Sequence, residues 1–101
     1  MVVSKRKIRW DKTAVHYFRD AIRYIRKDSP QSADKVKNDI LSIISALVNN
    51  TEIHAPDRYK LNNDGDFRAF ELHRFGIAYF TKEDEIIISR IRHTSQEPED
   101  Y

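Results

Sequence analysis

The chain has 101 residues, enough for one domain with one hydrophobic core. It contains no cysteine, which excludes a disulfide framework and any cysteine-ligated zinc site. With 18 basic and 16 acidic side chains the net charge is only +2, yet residues 1–27 hold nine basic and two acidic ones, a local charge of +7.

No apolar run approaches the roughly 18 residues of a membrane span. The basic start of the chain is not followed by the apolar stretch of a signal peptide. The expectation is a cytoplasmic protein of a single domain, residues 1–101, closing on an acidic tail at 94–101. No membrane partner and no cofactor is expected.

Lys5–Trp10 alternates, with Ile8 and Trp10 on one side and Lys7 and Arg9 on the other, and predicts a short strand. Asp11 suits a helix cap. Ala14, Phe18, Ala21, Ile22 and Ile25 then recur at helical spacing, while Arg19, Arg23 and Arg26 face away. Asp28-Ser29-Pro30 breaks this helix, with Ser29 placed to cap the next and Pro30 at its first position. Ala33, Val36, Ile40, Ile43, Ile44 and Leu47 predict a second amphipathic helix ending near Asn49-Asn50. Thr51–Asp57 reads as loop, and Arg58–Leu61 as a short strand. Asn62–Gly65 is a turn in which Gly65 takes a positive φ. Three strands follow at Phe67–Leu72, Phe75–Phe80 and Glu85–Arg92, the last two joined through Thr81–Asp84.

The order β-α-α-β-β-β(β) predicts a two-layer α+β domain: an antiparallel helical hairpin on one face of a mostly antiparallel sheet. Ile8, Trp10, Ala14, Phe18, Ile22, Ile40, Ile44, Leu47, Tyr79 and Ile91 are the predicted core. The other sheet face stays open. Arg68, His73, Arg74, Arg90, Arg92 and His93 give the strands a cationic character suited to phosphate or carboxylate.

This order, together with Asp28-Ser-Pro-Gln-Ser-Ala33, Gly65-Asp-Phe-Arg68, Ile77-Ala-Tyr79 and Ile91-Arg-His93, resembles the RelE/ParE superfamily of toxins from toxin–antitoxin modules. The resemblance covers nearly the whole chain. It implies a growth inhibitor neutralised by a cognate antitoxin, and a first strand lying beside the last.

The resemblance implies two chemistries. RelE-like members cut messenger RNA on the ribosome without a metal. That reaction needs cations around a phosphorane and groups that move protons. Lys60, Arg68, Arg74 and Arg92 are candidates for the first role and His54, His73 and His93 for the second. Tyr101 resembles a C-terminal tyrosine that RelE-like members use against substrate. The candidate catalytic set is therefore Arg68, Arg74, His93, Lys60 and Tyr101, conditional on nuclease activity. His73 and His93 lack the companions of a metal site.

ParE-like members instead poison DNA gyrase. RelE-like members usually carry Arg right after the first aromatic of the Phe75–Tyr79 strand, where this chain has Gly76. Arg74 is the nearest substitute. Ser95 likewise falls where a second basic residue is common. These departures, with the long helical hairpin, lean towards the gyrase branch. Ribosome-dependent RNA cleavage is the alternative, and an inactive member that only binds its partner is a third. An arginine on an antiparallel strand is most often simply solvated or cross-paired, and His16 in the first helix reads as structural or solvated.

Overall fold

The computed structural model describes residues 6–95 and 100–101. The first alternating segment forms β1 (Lys7–Trp10). Lys5, expected to begin it, lies outside the described residues. Helix α1 (Lys12–Asp28) buries Ala14, Phe18 and Ile22, four residues apart on one stripe. Asp11 occupies its N-cap position, but the side chain makes no capping bond. Its backbone N–H is given to the Ile88 carbonyl at 2.9 Å, so the helix start is tied to the sheet.

Ser29 ends α1 and begins α2 (Pro30–Ala46): its hydroxyl accepts from the Ser32 N–H at 3.2 Å, and Pro30 takes the first turn, where its missing donor costs nothing. Arg26 and Asp34, 2.9 Å apart, bridge the two helices across this break.

Strands β2 (Phe67–Leu72), β3 (Phe75–Lys82) and β4 (Glu85–His93) form an antiparallel meander. The sheet order is β1-β4-β3-β2, with β1 parallel to β4. The α+β two-layer reading holds, as does the placement of the first strand beside the last. The core between hairpin and sheet contains Ala14, Phe18, Ile22, Ile40, Ile44, Leu47, Tyr79 and Ile91. Ile8 and Trp10 were also expected inside but are only half-buried, because β1 is an edge strand with no neighbouring strand on its far side among the described residues. Phe75, Ile77, Ile86 and Ile88 complete the core from the middle of the sheet.

Arg58–Leu61 is not a strand. Asp57 accepts the Tyr59 N–H through Oδ1 at 3.0 Å, which curls the chain into a turn. Asn63 then clamps the loop, donating to the carbonyls of Asp57 and Phe67 and accepting from the N–H groups of Gly65 and Phe67. Gly65 has φ +104°, as its place in the turn requires. Just before the turn, Pro56 bridges Arg68 and covers the outer edge of β2 there.

The β2–β3 connection is a two-residue turn at His73 and Arg74, with φ of 52° and 68°. Both are left-handed without being glycine, which costs roughly 1–2 kcal/mol per residue. Two contacts hold the turn: His73 Nε2 meets Asp39 Oδ2 of α2 at 2.7 Å, and the Thr94 N–H donates to the Arg74 carbonyl at 2.8 Å. Arg74→Gly keeps that backbone bond and relieves the strain. It is expected to raise stability by about 0.5–1 kcal/mol, read as a shift of the urea midpoint; a fall would mean that the exposed arginine side chain has a structural role.

The Asp39 carboxyl is held below its ordinary value of 3.8, first by the His73 hydrogen bond and then by Lys35. A carboxyl more acidic in the folded than in the unfolded chain stabilises above its unfolded pKa, and that stability is lost as pH falls through the folded value. Asp39→Asn should therefore lower the urea midpoint at neutral pH and flatten its decline below about pH 4. Parallel wild-type and variant curves down to pH 2 would show that the contact contributes nothing.

Candidate functional site

The face of the sheet away from the helices carries a cavity of about 340 Å³. Its floor is Ala69, Gly76 and Ala78, small residues side by side on β2 and β3. Its walls are Arg90 and Arg92 of β4, Arg58 and Tyr59 of the loop, and Tyr101.

A register shift puts the two β4 arginines there. Ala78 pairs with Arg90, but Tyr79 pairs with Ile88, which leaves Ser89 as an extra residue. Its hydroxyl donates to the Ala78 carbonyl at 3.3 Å. Ahead of the bulge, Ile86 and Ile88 face the helices; beyond it, Ile91 takes that side opposite Ile77. Strict alternation from Ile86 would have turned Arg90 and Arg92 into the core. One extra residue turns them out.

Tyr101 folds back onto this face. Its backbone N–H donates to the Tyr59 carbonyl at 2.9 Å, and the Leu61 N–H donates to its carbonyl at 2.6 Å. Its hydroxyl donates to Asp57 Oδ2 at 2.6 Å. Asp57 is the one buried charged residue among those described. Burial, reinforced by the Asp57 carboxylate, pushes the Tyr101 hydroxyl well above the usual phenol range. Arg90 lies over the Tyr101 ring at 4.2 Å and Lys60 at 5.6 Å. Arg58 and Arg92 lie over Tyr59 at 5.1 and 5.5 Å.

The five residues singled out from sequence do not converge. Lys60 and Tyr101 meet on the open face. Arg68 sits opposite Tyr79, on the side of β2 that carries Phe70 and Leu72 towards the helices, and donates to the His54 carbonyl at 2.8 Å. His93 also faces the helix side: it pairs with Phe75, rests edge-on against that ring at 5.5 Å, and gives its backbone N–H to the Tyr17 hydroxyl. Along β3 their partners are four residues apart, about 13 Å. Arg74, in the turn, is not on a strand at all and projects from the far end of the hairpin. Arg68 and Arg74 therefore do not meet on the open face.

His54 is half-buried. It stacks on Phe70 at 4.6 Å, and burial lowers its pKa. Among the described residues no cluster of His, Cys, Asp and Glu is arranged to hold a metal, and no helix is long and apolar enough to cross a membrane.

The family model for the ParE toxin of the type II toxin–antitoxin system ParDE matches residues 8–98. The chain belongs to the ParE toxin family. It is the toxin of a type II toxin–antitoxin system, whose counterpart is an antitoxin. Among solved structures, one described as the chromosomal ParDE toxin–antitoxin system from P. aeruginosa shares its fold at 24% identity and a TM-score of 0.65, covering 88% of this chain and 96% of that one. No curated protein matches significantly.

In this ParE-family toxin, Gly76 has a visible use. A Cβ at that position would meet Arg92 Cζ and Nε at 3.3 Å. The Arg92 guanidinium thus lies across β3 where residue 76 has no side chain, and reaches Glu71 Oε1 on β2 at 3.4 Å. The position that carries arginine in RelE-like relatives is overlain here by an arginine from the neighbouring strand. Sequence reasoning named Arg92 but missed Tyr59, Arg58 and Asp57 as site residues. The turn that gathers them depends on the hydrogen bonds of Asn63 to the Asp57 and Phe67 carbonyls, which residue types alone do not announce.

Proposed function

We propose that this toxin arrests growth by binding DNA gyrase and not by cutting RNA. One observation carries the reading: the proton-moving and phosphate-holding residues of a nuclease are split between the two faces of the sheet. Arg68 and His93 lie towards the helices, and Arg74 stands at a hairpin tip. The Tyr101 hydroxyl is already committed to Asp57. Phosphorane stabilisation needs donors aimed at one point, and losing one such donor typically costs 10²–10³ in rate. A binding toxin has no such requirement.

The test is direct. Purified toxin, titrated into gyrase and relaxed plasmid, is expected to abolish supercoiling and to accumulate cleaved DNA. Programmed ribosomes given the same toxin should keep their message intact. Cleaved message with active gyrase would replace this reading by the RNA alternative, which has one point in its favour: Lys60, Arg90, Arg92 and Tyr101 do share the open face. Inhibition of neither would leave a protein that only binds its partner.

We also propose where the antitoxin begins its contact. Trp10, Val15, Phe18, Ile22 and Leu41 line an apolar groove between β1 and the hairpin, with Arg19 and Lys37 on its rim. An acidic, partly helical segment with an apolar stripe complements it.

A further inference from the structure

The arginines of the open face are arranged for more than solvation. Arg90 and Arg92 stand two residues apart on one strand face, about 6–7 Å along β4. Arg58 reaches the same cavity from the loop. Aromatic rings hold all three guanidinium groups in place, Tyr59 under Arg58 and Arg92, and Tyr101 under Arg90. Among the described residues, neither Arg58 nor Arg90 is within ion-pair distance of a carboxylate. The two acids at the margin are engaged already, Asp57 by the Tyr59 N–H and Tyr101 hydroxyl, and Glu71 by Arg92.

We propose that this face binds single-stranded DNA, non-covalently, through its phosphates. Guanidinium planes fixed by rings match the bidentate geometry of phosphate oxygens. Cations interleaved with aromatics along a groove hold a single strand without reading its sequence. The cations line a concavity, and among the described residues no helix or ribbon projects from it to enter a duplex groove, so an extended single strand fits where a duplex does not. Ala69 and Ala78 leave room for the strand to lie flat beside the Arg92 guanidinium that covers Gly76. The choice of DNA over RNA rests on the proposed gyrase target, an enzyme that works on DNA. The toxin would then grip both the enzyme and the DNA that the enzyme holds.

The experiment is fluorescence anisotropy of a labelled oligothymidylate titrated with the purified full-length toxin between 50 and 200 mM salt. Two phosphate contacts, at Arg58 and Arg90, predict a slope of log affinity against log salt of about −1.4. Arg58→Gln and Arg90→Gln should each weaken binding about five- to tenfold and make the slope shallower by about 0.7. Arg23→Gln, on the outer side of α1, should change neither, with thermal melts confirming that every variant is folded. Absence of saturable binding below millimolar toxin would overturn the inference, as would an equal loss in Arg23→Gln. Tighter binding of oligouridylate than of oligothymidylate would overturn the assignment to DNA. Equal competition by polyglutamate would mean that the face takes an acidic peptide instead. The gyrase assay is scored separately. Oligothymidylate binding without gyrase inhibition would remove the proposed function and keep this inference, and inhibition without binding would do the reverse.

Discussion

Tyr79→Ala is expected to cost about 3–5 kcal/mol, the range for emptying a buried aromatic site. Tyr79 is the largest fully buried side chain, and it sits centrally on β3 between β2 and β4. Its ring fills the core, and its hydroxyl donates to the Thr51 carbonyl at 2.8 Å, pinning the loop that leaves α2. Burial raises the pKa of that hydroxyl, although nearby Arg68 opposes the shift, so it stays a donor at any working pH. A domain of this size has about 5–15 kcal/mol in all, and the alanine variant should lose much of it. Tyr79→Phe isolates the hydrogen bond and should cost about 1 kcal/mol. Urea unfolding of the three proteins checks both values. A loss below about 1.5 kcal/mol for Tyr79→Ala would mean that the neighbouring isoleucines collapse into the space.

The second large effect concerns the antitoxin. Residues 1–27 carry a local charge of +7, and little of it is neutralised inside the fold. Within the described part of this segment Arg9 is paired with Glu85, Arg26 with Asp34 and Arg23 distantly with Asp20, while no ion pair engages Lys7, Lys12, Arg19 or Lys27. Such a field steers an acidic partner, and salt removes it: the screening length shrinks from about 30 Å at 0.01 M to about 8 Å at 0.15 M. Association should slow roughly ten- to a hundredfold across that range, while dissociation changes much less. Stopped-flow mixing of toxin and antitoxin measures both rates. A salt-independent association rate would assign the contact to the apolar groove alone.

The functional residues divide by the kind of information that locates them. Arg90 and Arg92 are legible as a pair because any strand puts i and i+2 on one face. Which face they share is not legible, because the Ser89 bulge reverses the alternation and no local pattern marks it. Arg74 falls between the expected strands at Phe67–Leu72 and Phe75–Phe80, and arginine carries no turn signal. It lies in a left-handed turn because His73–Asp39 and the Thr94–Arg74 backbone bond hold it there. The expected strand at Arg58–Leu61 fails for a related reason: Asn63 and Asp57 satisfy the backbone locally, and their partners are set by the return of Phe67.

From sequence alone follow the two helices, the break at Ser29-Pro30, the three-strand meander and the core stripe of Ala14, Phe18 and Ile22. Each depends on a periodicity or a backbone preference that lies within a few residues. The family was legible for the same reason, in the order of these elements and the short motifs between them. Tertiary structure alone decided that Arg68 and His93 turn away from Arg90 and Arg92, that Arg92 lies over Gly76, and that Tyr101 closes on Asp57. Those placements depend on strand register and on contacts between residues 16 to 44 positions apart in the chain. Such contacts form only when the whole sheet has assembled, so no window of sequence contains them.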